Sequence, residues 1–239
     1  MTAPGLGARK RVYSTVTVTE GSAGFTVALD GRPIRSPGGR PLALPTRSLA
    51  EAIAAEWDAQ ADTIDPRGMP ATGFAATVAD RVTPQRDHVV DEIAGYGGSD
   101  LLCFLTEDPP ELIARQEAAW RPWREWAERT LGLTLVLGAG IMPVRQPEGT
   151  LAAFRAAVAA EDAWTLAPLH DLTSITGSLI LGLAVLRGRL GAETAFEVSR
   201  VDEEFQAERW GRDAEAEDFS IARHREMVEA ATFVALLKS

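Results

Sequence analysis

The chain has 239 residues, 46% hydrophobic and 24% charged, a balance that gives a globular protein with ample core and leaves little room for disorder beyond the first few residues. A net charge of −10 repels phosphate backbones and argues against nucleic-acid binding. The single cysteine, Cys103, excludes an internal disulfide or a multi-cysteine metal site, and its setting in LLCFL reads as a buried, inert thiol in a reducing compartment. The charge is uneven: residues 1–50 carry seven bases and two acids, a net of +5, which leaves −15 for the rest. The start, MTAPGLGARKR, lacks the apolar centre of a signal peptide. The longest apolar run, ITGSLILGLAVL (175–186), has 12 residues, too few to span a bilayer and suited to a buried helix. A soluble, cytoplasmic chain without membrane insertion is the expectation.

RVYSTVTV, from residue 11, alternates with β-branched residues and predicts a strand, followed by a turn at 20–24 and a second strand, FTVAL (25–29). Asp30-Gly31 is a hairpin signal, because both residues tolerate positive φ, and 32–35 begins the return strand. SPGG (36–39) turns the chain, and the prolines of PLALP confine that segment to an edge. Thr46 is placed to cap a helix over 47–60, with Leu49, Ile53 and Trp57 on its apolar face. A loop over 65–73 leads to a short helix at 74–81.

From Thr83-Pro84 the chain reads as helical almost to its end. A helix over 83–94 stops at GYGG. A long helix over 109–131 carries Trp120, Trp123 and Trp126 on roughly one face, and Pro122 should kink it or end it early. LTLVLGAGIMPV (133–144) reads as extended, and further helices are predicted over 147–160, 167–187, 191–210 and 218–237. The fold class is therefore α+β: a small β-rich amino-terminal domain with one or two helices (1–82), then a mainly α-helical carboxy-terminal bundle (83–239).

Few segments look catalytic. LVLGAG (135–140) resembles a dinucleotide-binding turn, but IMPVRQP follows and its two prolines forbid the helix such a site needs. GLG at 5–7 has no preceding strand, and no GxxxxGK[ST] occurs. His170-Asp171 with Ser174 and Ser178 invites a hydrolase reading, yet there is no GxSxG elbow, and small residues on an apolar helix serve close packing. His170 reads as a capping or core-edge residue, and His88 and His224 as solvent-exposed. Three scattered histidines without HExxH or ExxH pairing do not make a metal site.

DEEFQAERWGRDAEAED (202–218) is the conspicuous stretch, with eight carboxylates against two arginines. On a helix Glu204 and Glu208 lie one turn apart, with Glu203 beside them. Composition alone suggests a solvated face. Trp210 pulls against that, since a large aromatic is a favoured interface anchor, although it could equally pack back on the bundle with Gly211 ending the helix in a left-handed turn.

Five segments taken together resemble a known family: LDGRPIRSPGGRPLALPTRSLAEAIAAEWDAQ (29–60), IDPRGMPATGFAATVADRV (64–82), SDLLCF (99–104), LAPLHDLTSITGSLILGLAVLRG (166–188) and DEEFQAERWGRDAEAED (202–218). In this order, over nearly the whole chain, they are similar to the assembly chaperones for the alpha subunit of the ATP synthase catalytic head, here a bacterial member of the mitochondrial assembly-factor family. The resemblance implies a β-rich domain joined to a helical one. It also implies a protein that is not an enzyme and needs no cofactor or metal. Such a protein binds the unassembled alpha subunit, masks its beta-contacting surface against aggregation and yields to beta during assembly.

Eukaryotic relatives work in the mitochondrial matrix. An Arg- and Ser-rich transit peptide is lacking here, so a bacterial cytoplasmic member or a processed form, monomeric when free, is expected. The family's sensitive acid falls in an EE-x-Q-x-x-x-WG pattern, here Glu203, Glu204, Gln206, Trp210 and Gly211, with Glu204 favoured and Glu203 beside it. Mitochondrial members continue past the WG with an aromatic- and histidine-containing acidic segment, where this chain has RDAEAEDFS. The candidate partner-binding set is Glu203, Glu204, Glu208, Trp210 and Asp213. The rival reading is a carboxylate-dependent hydrolase using the 202–218 acids with His170, which requires one cleft joining them.

Overall fold

The computed structural model describes residues 10–140 and 145–239; the GLG at 5–7 and the end of the extended segment, 141–144, lie outside them. In chain order the elements are β1 (Val16–Gly21), β2 (Gly24–Leu29), β3 (Arg32–Pro33), α1 (Arg47–Asp58), α2 (Pro70–Thr77), α3 (Arg86–Gly95), β4 (Phe104–Leu105), α4 (Pro110–Leu131), β5 (Gly138–Ala139), α5 (Glu148–Ala159), α6 (Ala163–Thr176), α7 (Leu179–Leu186), α8 (Ala192–Ser199), α9 (Val201–Trp210) and α10 (Ala214–Lys238). A small amino-terminal sheet followed by helices is the α+β class the sequence implies. The chain forms two compact units. Among the described residues, one holds 10–86, 163–168 and 232–239; the other holds 87–140, 145–162 and 169–231.

In the first unit β1, β2 and β3 make an antiparallel meander in that order. Asp30 (φ 47°) and Gly31 (φ 76°) both turn left-handed, which is the backbone a two-residue hairpin loop needs if its twist is to match the strands. The Asp30 carboxylate also accepts from the Ser14 and Thr15 amides, which anchors the chain just before β1, and these donors hold its pKa below the usual carboxylate range. The return strand is short, Arg32–Pro33; Pro33 stands at a non-hydrogen-bonded position opposite Ala28, where its missing N–H costs no ladder bond, and Ile34 still donates to the Val27 carbonyl at 2.9 Å.

Thr46 caps α1 as expected, its Oγ1 accepting from the Leu49 amide at 3.2 Å. α2 starts at Pro70, four residues before the predicted 74. Glu56 explains this early start: its carboxylate reaches from α1 to accept the Ala71 and Thr72 amides at 2.7 and 2.8 Å, a side-chain cap supplied from another helix. The core joins Val27, Ile34, Leu44, Leu49 and Ile53 to Phe233 from the far end of the chain. Phe233 packs on Phe74 (ring centroids 4.9 Å) and Trp164 (6.5 Å), and Thr46 Oγ1 donates to the Leu236 carbonyl.

Among its described residues the second unit is mainly helical and carries the short parallel pair β4–β5. α4 runs unbroken through Pro122. Pro122 and Ala118, whose carbonyl loses its usual helical donor, are both exposed, so the site is open to solvent and the helix can continue. Of the three tryptophans only Trp120 is fully buried; its indole donates to the Val198 carbonyl at 2.8 Å.

The single helix expected over 167–187 is two, α6 and α7. Gly177 ends the first, and Ser178 adopts an extended conformation and caps the second, accepting from the Leu181 amide. The reason lies far away in sequence. Buried Asp100 accepts from Ser178 Oγ (2.7 Å) and the Ile180 amide (3.0 Å), which fixes a helix start at that point. All eight residues of α7 are buried, as its composition implies. The helix expected over 191–210 is likewise two, α8 and α9, broken at Arg200 (φ −112°, ψ 20°).

Candidate functional site

α9 begins VDEEF, and its two faces have different partners. Asp202 accepts from the Gln116 side chain of α4 at 2.7 Å, and Glu208 pairs with Arg115, also on α4, at 2.8 Å. The Arg115 hydrogen bond holds the Glu208 carboxyl below its ordinary pKa. Between them Phe205 is buried, with Arg115 and Arg209 lying over its ring. These contacts hold α9 against α4.

The opposite face of α9 and the start of α10 enclose a groove of about 560 Å³. Glu203, Glu204, Ala207 and Trp210 line it from α9, a spacing that repeats with the helical turn. Ala216, Glu217, Ser220, Ile221 and His224 line it from α10, and Phe196 of α8 contributes as well. Gly211 makes the connection with φ 91° and ψ 161°, a conformation in effect reserved for glycine. Its φ is positive as expected, but its ψ is extended, so the chain leaves α9 abruptly rather than curling into a left-handed cap. Asp213 then caps α10, its Oδ1 accepting from the Glu215 and Ala216 amides at 2.9 and 3.0 Å. α10 therefore starts at Ala214, four residues before the predicted 218.

Four of the five candidate partner-binding residues meet at this groove: Glu203, Glu204, Trp210 and Asp213. Glu208, expected to share a face with Glu204, belongs instead to the α4 side. Positions four apart differ by about 40° around a helix, and each long side chain finds its own arginine. Glu204 pairs with Arg212 at 2.8 Å, whereas Glu203 to Arg200 (3.7 Å) and Glu217 to Arg212 (4.0 Å) are long, loose pairs. Trp210 does not pack back on the bundle; it is 76% exposed, and Phe219 (64%) and Ile221 (63%) stand out on the next helix.

Sequence reading missed Phe219, Ile221 and His224. For Ile221 and His224 the signal was present as the three- and four-residue spacing 213, 216, 217, 220, 221 and 224, but it was hidden by starting the helix at 218; Phe219 lies off that spacing. His224 is half-buried, edge-on to Phe196 at 5.1 Å, not solvent-exposed.

His170 does not line the groove. Its ring nitrogens face Asp171 (3.0 Å) and Glu92 (3.6 Å), and chiefly the Asp171 hydrogen bond raises its pKa. Ser174 Oγ donates to the Asp171 carbonyl and Ser178 to Asp100, so neither hydroxyl is oriented by His170. Among the described residues no three His, Cys, Asp or Glu side chains gather as metal ligands, and no helix is long and apolar enough to cross a membrane. Cys103 is fully buried, and burial pushes its thiol up to about 12, which keeps it protonated and unreactive.

Known proteins share this fold and sequence. Residues 10–128 match the family model described as ATP12 chaperone protein. The crystal structure of Atp12 from Paracoccus denitrificans is 45% identical, with a TM-score of 0.93, over 95% of this chain and 98% of that one. An aspartate-to-lysine mutant of the same Paracoccus protein has the same TM-score at 44% identity, over 95% and 97% of the two chains. The mitochondrial protein atp12 of Schizosaccharomyces pombe is 26% identical over 197 residues, 77% of this chain and 68% of that protein. With this identity spread over both units, the chain belongs to the ATP12 chaperone family, whose members assist ATP synthase assembly.

Proposed function

We propose that this protein binds the unassembled alpha subunit of the ATP synthase catalytic head, covers the surface that beta later occupies, and is displaced as the head assembles. It acts in the bacterial cytoplasm as a monomer when free, and without catalysis. The contact edge runs along Glu203, Glu204 and Trp210 to Asp213, with Glu208 anchoring that edge to α4. The observation that carries the reading is Trp210, left 76% exposed beside an acidic groove in a chain that belongs to a chaperone family. A tryptophan in water at that exposure is costly unless a partner covers it.

The physics of such a chaperone is simple. Apolar contact at Trp210 and its neighbours supplies affinity, and the acids set register and speed encounter with a basic surface. Release requires only that beta bind alpha more tightly. A hydrolase using the acidic segment with His170 has no observation in its favour, because His170 is engaged with Asp171 and Glu92 instead.

Isolated alpha subunit, incubated with and without the protein, tests the reading by light scattering. Aggregation should be suppressed at equimolar protein. Glu204→Lys breaks only an exposed ion pair with Arg212, so the fold should hold, while suppression weakens. Aggregation undiminished by the wild-type protein would sink the proposal. Undiminished suppression by a folded Glu204→Lys would remove this edge from it.

A further inference from the structure

The groove between α9 and α10 has a definite chemistry, and it restricts what can lie in it. Its lining includes apolar and small residues, Phe196 buried, Ala207 partly buried and Ala216 and Ile221 exposed. Its lining carries four carboxylates against two arginines, and two of those carboxylates, Glu203 and Glu217, have only loose intramolecular pairs at 3.7 and 4.0 Å. Both are half-exposed, at 52% of the side chain, and can turn to a better cation without breaking a tight contact. The walls are two helices, whose backbone groups bond within themselves, joined by the three-residue connection 211–213. The helices offer no strand edge, so an extended segment laid here would leave its own N–H and C=O groups without backbone partners along the apolar lining. A helix satisfies its backbone internally and meets the groove through side chains alone.

We infer that this groove receives a basic amphipathic helix of the partner. Apolar residues spaced three and four apart enter between Trp210 and Ile221, and Lys or Arg on the helix flank reaches Glu203 and Glu217. Trp210 closes one end of the groove and packs on the inserted helix. The inference rests on the proposed function, because it names the kind of element by which alpha would be held.

Photo-crosslinking with a photoreactive residue at position 220, in the full chain, tests it with three probes. The first is isolated alpha subunit. The second is a synthetic Leu/Lys amphipathic peptide of about four turns, and the third is its Leu/Glu counterpart. The Leu/Lys peptide should form an adduct at 220 and the Leu/Glu peptide none, and the crosslinked alpha segment should be helical, amphipathic and basic. Glu203→Lys with Glu217→Lys should lose the adduct while circular dichroism stays unchanged. Equal labelling by both peptides, labelling of neither, or an alpha segment lacking bases would overturn the inference. If alpha aggregation is suppressed but no alpha adduct forms at 220, the groove assignment fails and the chaperone reading stands. If the Leu/Lys adduct forms but alpha is neither bound nor protected, the groove's preference stands and the alpha reading fails.

Discussion

Asp100 is a carboxyl of the second unit with no access to solvent. It is fully buried, and its oxygens accept from Ser178 Oγ and the amides of Leu102 and Ile180. Those donors favour the ionised form, but burial outweighs them and lifts the pKa to about 6. A carboxyl raised in the folded state contributes stability that is fully present below its unfolded value, 3.8, and lost as pH rises through about 6. The difference in unfolding free energy between wild type and Asp100→Asn should therefore shrink by about 3 kcal/mol from below pH 4 to neutrality. Urea unfolding of both proteins across that range measures it, and a constant difference would mean that Asp100 ionises normally. Trp210 is the opposite case. Because it is mostly exposed, Trp210→Ala should leave the unfolding midpoint within about 0.5 kcal/mol of wild type while weakening alpha binding. A large loss of stability would show instead that the ring belongs to the fold.

Among the elements, α4 carries Pro122 in its interior without ending there. The site is exposed, so Pro122→Ala restores one helical hydrogen bond and removes a ring clash without disturbing packing. A gain of about 1 to 3 kcal/mol is expected, read from the thermal or urea midpoint. No gain would mean that the helix has already relaxed around the proline. The helices of the sequence reading were correct in kind, and several were wrong at their joints. Leu49, Ile53 and Trp57 identified α1, and Thr46 its start, because cap and apolar face are neighbours in sequence. The break at Gly177-Ser178 was not legible, because the acid that fixes it, Asp100, is 78 residues away. The early start of α2 has the same cause, since Glu56 supplies its cap from α1. Asp213 was a local cap and could have been read as one, which would have put α10 at Ala214 and exposed the groove's periodicity.

Over the whole molecule, the end of the chain returns to its beginning. Phe233 is 1% exposed and packs with Phe74, Trp164 and the strand core of the amino-terminal unit. Phe233→Ala should cost about 3 to 5 kcal/mol, with early loss of amide protection over α1 in hydrogen exchange. Unchanged protection there would mean that the amino-terminal unit is stable without it.

Composition, β-branched alternation, Asp30-Gly31 and the helical spacing determined, by sequence alone, an α+β chain with a buried Cys103 and an acidic, tryptophan-bearing segment near its end. Each of those readings depends on residues within a turn or two of each other. Tertiary structure alone decided which acids face α4 and which face the groove, that Trp210 stands in solvent, and that residues 232–239 complete the amino-terminal core. Those outcomes depend on arginines, amides and aromatic rings from distant segments, and a carboxylate's direction is set by whichever of them comes within hydrogen-bond reach once the chain has folded.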